Sequence, residues 1–251
     1  KIRYEMQKIT PYIKRLLMSH ITGLSTARLL AERDICLSEE QQRWMDGAIC
    51  RLENNEPLQH VLGYCEFYGR KFKSDGRALV PRPETEELVD WIVSNWSTAN
   101  SHQSTVKILD IGTGTGCIAL SLAKELPEAK VSALDISKEA LSIARENANI
   151  LEVKNVDFIE GDILNKSFNS QLSTFNLIVS NPPYVRECEK ADMEPNVLDY
   201  DPHTALFVSD TDPLIFYRAI GEFALTHLKP NGALYFEINQ YLATETCDLL
   251  I

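Results

Sequence analysis

Apolar positions recur along this chain at two different spacings, and the spacing changes near residue 60. Over 4–19 and 25–34 they fall at helical intervals, as in Ile9, Ile13, Leu16 and Leu17. The stretch LSEEQQRWMDGAICRLENNEP opens on Ser38 as a helix N-cap, with acidic residues in the first turn. It carries Trp44, Ile49 and Leu52 as a core face, and Pro57 ends it. These patterns predict a small helical domain over 1–58. HVLGYCEFYGRKFKSDGRALV then alternates, with turn signals at Gly69-Arg70 and Asp75-Gly76, which predicts a β-hairpin linker over 59–82. From Glu84 the helical spacing returns: Leu88, Ile92 and Trp96 share a face, with Val89 and Val93 beside them.

From residue 105 apolar strand-like runs alternate with helical ones. VKILDIG (106–112), KVSALDI (130–136), VDFIEGD (156–162), FNLIVS (175–180) and GALYFEI (232–238) read as strands. CIALSLAKEL, KEALSIARENANI and PLIFYRAIGEFALTHL read as helices between them. Such alternation predicts an α/β domain over 83–251, a parallel sheet with helices on both faces.

Composition narrows the class. A chain of 251 residues, 44% hydrophobic, accommodates one large domain or a medium one with a small companion. No apolar run approaches the roughly 20 residues of a membrane span, so no membrane partner is expected. The opening KIRYEMQKITPYIKRLL scatters charges and has no signal-peptide core; it lacks an initiator Met, so a trimmed start is expected. Cysteines at 36, 50, 65, 117, 188 and 247 never form C-x-x-C, which argues against zinc or redox use and for reduced thiols in a cytoplasmic protein. The net charge of −11 is unevenly spread: residues 1–73 carry net +3 and residues 74–251 net −14. An acidic main domain disfavours a phosphate backbone as partner, so no stable nucleic-acid binding is expected.

Two loops carry candidate chemistry. LDIGTGTGCIAL places Gly112, Gly114 and Gly116 between the first strand and its helix, where glycine permits a sharp turn and close ligand approach. Gly114-x-Gly116-x-x-Ala119 also fits the dinucleotide fingerprint, so spacing alone leaves a nicotinamide cofactor open. Asp135 ends the second strand, where a carboxylate accepts ribose hydroxyls in either class. With Asp110 the loop becomes Asp-x-Gly-x-Gly-x-Gly, which resembles motif I of the class I methyltransferases. Asp162 follows the third strand, where that fold contacts the adenine edge; its plainer alternative is a surface-turn aspartate.

The second loop is IVSNPPY (178–184). A strand cannot continue through Pro182-Pro183, which lack N–H donors, so Asn181 is delivered to the carboxyl edge of the sheet, where α/β folds bind ligands. A planar NH2 group is a poor nucleophile because its lone pair is delocalised. Two acceptors on its two N–H groups would orient it toward a methyl donor. The Asn181 side-chain oxygen and the Pro182 carbonyl suit that task. The prolines stiffen the turn, and Tyr184 offers a flat face for stacking. The plainer alternative is a structural Pro-Pro turn with a buried tyrosine.

Asn-Pro-Pro-Tyr after the fourth strand resembles motif IV of the amino-methyltransferases, which act on adenine N6 in DNA or RNA or on glutamine N5 in protein. EPLQHVLGYCEFYGRKF followed by ALVPRPETEELVDW closely resembles the signature of the HemK/PrmC family, and the likeness runs over nearly the whole chain. Those enzymes are protein-(glutamine-N5) methyltransferases acting on the Gly-Gly-Gln loop of class 1 peptide chain release factors. The resemblance implies a class I S-adenosylmethionine-dependent fold (Rossmann-like, mostly parallel sheet) with a small N-terminal all-helical domain that recognises substrate. It implies S-adenosyl-L-methionine as methyl donor, S-adenosyl-L-homocysteine as product and a release factor as partner. Carried over by position, it makes Asp110, Gly112, Thr113, Gly114, Thr115, Gly116, Asp135, Asp162, Ile163 and Asn181 cofactor contacts. Asn181, Pro182, Pro183 and Tyr184 become the glutamine-binding turn, with Asn181, Pro182 and Tyr184 catalytic.

Pro81 to Glu86 is the most specific part of the likeness. Capping a helix dipole accounts for Glu84, Glu86 and Glu87 but not for Arg82, which is expected near the cofactor pocket. Asp201 stands where family members often carry Glu before Pro, and is expected to be a loop anchor. Family members add two strands after the helix in which Ile251 falls, so a shortened sheet with an exposed apolar edge is expected. Three other readings compete. An adenine-N6 methyltransferase would need a basic groove and a flipped base on Tyr184, against the acidic balance here. A non-catalytic adaptor sits poorly with an intact Asn181 and glycine loop. A dehydrogenase lacks an evident acid/base: His60, His102, His203 and His227 read as surface or structural.

Overall fold

The structure is a computed structural model that describes residues 9–31, 35–96 and 105–251. Positions 4–8, 32–34 and His102 lie outside the described residues. Among those described, helices come first: α1 (Pro11–Thr22), α2 (Thr26–Ala31), α3 (Glu39–Glu53) and α4 (Leu58–Leu62). Ser38 caps α3 reciprocally. The Gln41 N–H donates to Ser38 Oγ at 3.2 Å and the Ser38 N–H donates to Gln41 Oε1 at 2.9 Å. Leu17, Met45, Ala48, Leu52 and Val61 form the helical core, with Trp44 and Ile49 half-buried around it. The buried stripe of α3 therefore runs through Met45, Ala48 and Leu52; of the three positions the sequence pattern picks out, Leu52 lies on the stripe and Trp44 and Ile49 flank it.

The hairpin pairs β1 (Tyr64–Phe67) with β2 (Arg70–Lys73) in antiparallel register. Its turn is Tyr68-Gly69, one residue earlier than the glycine position suggests, because Arg70 is already paired with Phe67. Both turn residues take positive φ, 48° and 69°, the geometry that matches strand twist in a two-residue loop. Phe67 and Phe72 meet edge to face at 5.9 Å and are buried in the same core as the large sheet. The hairpin is thus a packed part of the larger body.

Then follow α5 (Glu84–Trp96), β3 (Lys107–Ile111), α6 (Cys117–Glu125), β4 (Lys130–Asp135), α7 (Lys138–Ile150), β5 (Val156–Glu160), α8 (Lys166–Asn169) and β6 (Phe175–Ser180). The short β7 (Val185–Arg186), α9 (Pro195–Tyr200) and β8 (Phe207–Val208) lead to α10 (Ile215–His227), β9 (Leu228–Phe236) and α11 (Ala243–Leu250). The sheet order is β5-β4-β3-β6-β9, every neighbour parallel. β9 starts at Leu228, four residues before the expected 232, because Leu228 pairs with Phe175 across a register shift.

Side-chain alternation splits the core. Ile108, Leu177 and Val179 join α5 and α6 on one face; Leu109, Ile111 and Ile178 join α10 on the other. Full burial of each such side chain contributes about 1.5–3 kcal/mol, so both faces hold the strand ends in fixed relation. Among the described residues no helix is long and apolar enough to cross a membrane.

Candidate active site

A cavity of about 390 Å³ opens at the carboxyl ends of β3, β4 and β6. That is within the roughly 300–1,000 Å³ range of small-molecule sites. One wall is the glycine loop. Gly112, Gly114 and Gly116 have φ of 72°, 56° and 81°, conformations that side-chain-bearing residues rarely adopt. Gly112 and Gly114 face the cavity. Gly116 instead lets α6 approach α7: a Cβ there would lie 3.2 Å from the Ala144 Cβ.

Asp135 also lines the cavity. Its Oδ2 accepts from the Gly114 N–H at 2.8 Å and its Oδ1 from the Ser137 N–H at 2.9 Å. Each oxygen keeps a further lone pair for a ligand hydroxyl. Burial raises its pKa, and the backbone N–H groups oppose that rise. Asp162 and Ile163 line the same cavity, and the Asp162 Oδ1 accepts from the Leu164 N–H at 2.8 Å. Ile163 is buried and Ile136 exposed, giving the cavity apolar surface beside Asp135.

Asp110, Thr113, Thr115 and Gly116 sit behind this wall rather than on it. Asp110 is fully buried, and its Oδ2 accepts from Thr113 Oγ1 at 2.6 Å and from the Ala119 N–H at 3.2 Å. It braces the loop against the first turn of α6. Burial pushes its carboxyl up to about 7. Asn147 of α7 adds a second brace: its Nδ2 donates to the Thr115 carbonyl at 2.9 Å and its Oδ1 accepts from the Lys73 N–H at 2.6 Å. Asn147 is not among the residues the motifs pick out; an amide on the buried face of an amphipathic helix is the signal for it.

The opposite wall is the turn after β6. Asn181, Pro182 and Pro183 line the cavity, and a Cβ at Gly112 would lie 3.9 Å from the Asn181 carbonyl oxygen. The two walls therefore approach each other closely. Ser180 Oγ donates to the Ile111 carbonyl at 2.7 Å, which pins the end of β6 to the end of β3. Asn181 Nδ2 donates to Thr85 Oγ1 at 3.3 Å, and Thr85 Oγ1 donates to Glu237 Oε2 at 2.6 Å. Tyr184 Oη donates to Glu237 Oε1 at 3.0 Å. Burial, then the Glu237 charge, pushes the Tyr184 phenol up. Tyr184 is half-buried beneath the turn rather than on the cavity wall.

Thr85 and Glu237 are the site residues that sequence reading missed. Thr85 shares the buried face of α5 with Leu88, Val89 and Ile92, and a hydroxyl on that face is a signal. Glu237 follows the apolar run of β9, and its N–H donates to the Ser180 carbonyl at 3.1 Å, which sets it beside Asn181.

Arg82 does not line the cavity. Its Nη2 lies 2.8 Å from Asp201 Oδ2, and Asp201 Oδ1 accepts from the Val80 N–H at 3.3 Å. Asp201 is buried, and it anchors the segment whose Pro202 and Thr204 close one side of the cavity. His60 is buried, while His203 and His227 cap nearby backbone carbonyls; none lines the cavity.

Known proteins resemble this chain along both of its parts. A family profile described as a methyltransferase domain matches residues 102–245, and one described as the PrmC N-terminal domain matches residues 13–63. The release factor glutamine methyltransferase of Flavobacterium psychrophilum is 48% identical over 227 residues, covering 90% of this chain and 78% of its own. That of Bacteroides thetaiotaomicron is 47% identical over 244 residues, covering 95% and 85%. A solved S-adenosylmethionine-dependent methyltransferase from Agrobacterium tumefaciens aligns with a TM-score of 0.51 at 18% identity, over 74% of this chain and 56% of that one, a likeness of fold.

Proposed function

This chain belongs to the release factor glutamine methyltransferase family, and on that premise we propose that it methylates the side-chain amide nitrogen of the glutamine in the Gly-Gly-Gln loop of class 1 release factors. S-adenosylmethionine held in the cavity would supply an electrophilic methyl group, with the S–C electron pair staying on sulfur as the amide nitrogen gains the methyl carbon. The cavity suits that donor. The glycine wall leaves room for close approach, Asp135 keeps lone pairs for ribose hydroxyls, and Ile136 and Ile163 offer apolar faces for adenine.

The observation that carries the reading is on the opposite wall. Among the described residues no group donates to Asn181 Oδ1 or to the Pro182 carbonyl. Two unpartnered acceptors beside the glycine wall match the two N–H groups of a primary amide. Accepting both would hold the nitrogen in line with the methyl group and favour positive charge on it as the bond forms. The nitrogen then loses one proton to water. Pro183 restricts Pro182 to extended conformations and so aims its carbonyl. The fixed pair also disfavours a glutamate carboxylate, which has no proton to give. We propose in addition that the helical region over 1–58, joined to the catalytic region over 83–251 through the 59–82 segment that holds the end of α4 and the β1–β2 hairpin, grips the release factor away from the cavity.

The test is transfer of labelled methyl from S-adenosylmethionine to a release factor with the Gly-Gly-Gln loop intact or with its glutamine changed to alanine. Label on the intact protein alone is expected. Equal label on both rejects the glutamine reading, and label on an oligonucleotide with none on either protein favours an adenine-N6 activity.

A further inference from the structure

The acceptor role of Asn181 depends on which end of its side chain faces the cavity. An amide has two ends of nearly equal size. If Nδ2 faced the substrate, two NH2 groups would meet, and the site would favour a carboxylate over an amide. What sets the direction is found outside the turn.

Proton counting over the neighbouring groups supplies the reason for one direction. Thr85 is 2% exposed, so its hydroxyl is shielded from bulk water. It carries one proton, and the Glu237 carboxylate 2.6 Å away only accepts, so the proton is committed to Glu237 Oε2. The Thr85 oxygen is then left as an acceptor toward Asn181, 3.3 Å away. Only the Nδ2 end of Asn181 can satisfy it, so Oδ1 is turned to the cavity. Glu237 is itself held from several sides. Its Oε1 accepts from Tyr184 Oη at 3.0 Å, its N–H donates to the Ser180 carbonyl at 3.1 Å, and its own carbonyl accepts from Tyr217 Oη at 3.2 Å.

Resting on the glutamine reading above, we infer that Thr85 and Glu237 are positioning residues that set the orientation of the Asn181 amide, and with it the preference for glutamine over glutamate. Neither touches the reacting atoms. They act by making one orientation of Asn181 hydrogen-bonded and the other a donor facing a donor. Tyr184 belongs to the same chain of bonds: it takes up the second oxygen of Glu237 and keeps the first for Thr85. This gives Thr85 a task that helix capping by its acidic neighbours does not.

The test uses full-length Thr85→Val, which keeps the branched shape without the hydroxyl, Thr85→Ser, which restores the hydroxyl, and Glu237→Gln. Two quantities are read: kcat on an intact release factor, and the ratio of Kd values for release factor carrying Gln or Glu in the loop, measured with S-adenosylhomocysteine bound. Thr85→Val is expected to lower kcat about 100-fold and Glu237→Gln to lower it in the same direction, as for a reacting group displaced by an ångström. Thr85→Ser is expected to stay within about threefold of wild type, and affinity for S-adenosylmethionine within about twofold in all three. The Gln-over-Glu preference is expected to fall about tenfold in Thr85→Val and to persist in Thr85→Ser, a change that general loosening of the fold does not produce. An active wild type with an unimpaired Thr85→Val, or with an unchanged Gln-over-Glu ratio, overturns this inference alone. A wild type that transfers nothing to the glutamine overturns the reading beneath it as well.

Discussion

The two walls of the cavity come close together at Gly112 and Asn181, yet they are assembled over very different distances along the chain. The glycine wall is local. Gly112 to Gly116 follow β3 directly, and the loop is tied to the end of β4 by backbone bonds to the Leu134 carbonyl at 2.8 and 3.0 Å and by Asp135. Its shape is backbone shape. The Asn181 wall joins three distant segments, Thr85 at the start of α5, Asn181 to Tyr184 after β6, and Glu237 after β9, through side-chain hydrogen bonds. A wall made of backbone binds a ligand that approaches closely, and it tolerates little change. A wall made of oriented side chains fixes the direction of hydrogen bonds, so it controls the reaction more than the binding of the donor.

That contrast can be broken by substitutions on either side. The largest effect is expected at Asn181→Ala: kcat should fall about 100- to 1,000-fold, as when one oriented group of a charge-stabilising pair is removed, while calorimetry finds a much smaller loss in S-adenosylmethionine affinity. Comparable losses in both would mean that the walls are not separable. Asp135→Ala should give the reverse pattern, weakening donor binding about 10- to 100-fold, the value of hydrogen bonds to a charged group, with the release-factor KM little changed. Steady-state kinetics with each substrate varied in turn distinguishes the two patterns. Tyr184→Phe keeps the ring and removes one donor to Glu237, so kcat should drop by less than about tenfold. A loss as deep as that of Asn181→Ala would give the phenol a more direct part.

The smallest effect concerns the brace behind the glycine wall. Burial raises Asp110 from an ordinary 3.8 to about 7. Below pH 4 both folded and unfolded chains hold the proton. Between pH 4 and 7 the unfolded chain releases it while the folded one keeps it, so this group lowers stability as pH rises through that window. Asp110→Asn retains acceptors for Thr113 and Ala119 without the titration. The melting temperature of the ligand-free variant, relative to wild type, should therefore climb by a few degrees from pH 5 to pH 8. A difference that stays flat over that range contradicts the assignment.

The same division explains how much the sequence discloses. The glycine loop, Asp135 and the Asn-Pro-Pro turn are legible because each sits at the end of an apolar run whose length and period reveal a strand, whereas Asp162 and Ile163 come from the resemblance to the methyltransferase fold and family. The sheet follows from those runs, and only its last strand starts earlier than the pattern suggests, where a bulge admits Leu228. Thr85 and Glu237 are hidden because their meaning lies in a contact across 152 positions, and periodicity carries no information on such contacts. Arg82 stands just off the cavity wall for a related reason: its partner Asp201, which adjoins the wall residue Pro202, is 119 positions away. Asp110 and the threonines of the loop fall in the motif, but burial turns them inward, where they shape the wall without lining it.

The most direct measurement is fragmentation mass spectrometry of the Gly-Gly-Gln peptide from a release factor incubated with S-adenosylmethionine and either the wild-type chain or Asn181→Ala. A single methyl group on the glutamine side-chain nitrogen with wild type, and almost none with Asn181→Ala, is the expected result. A methyl group on another residue, or equal methylation by both chains, would contradict the assignment of Asn181 and the Pro182 carbonyl as the acceptors that present the glutamine amide.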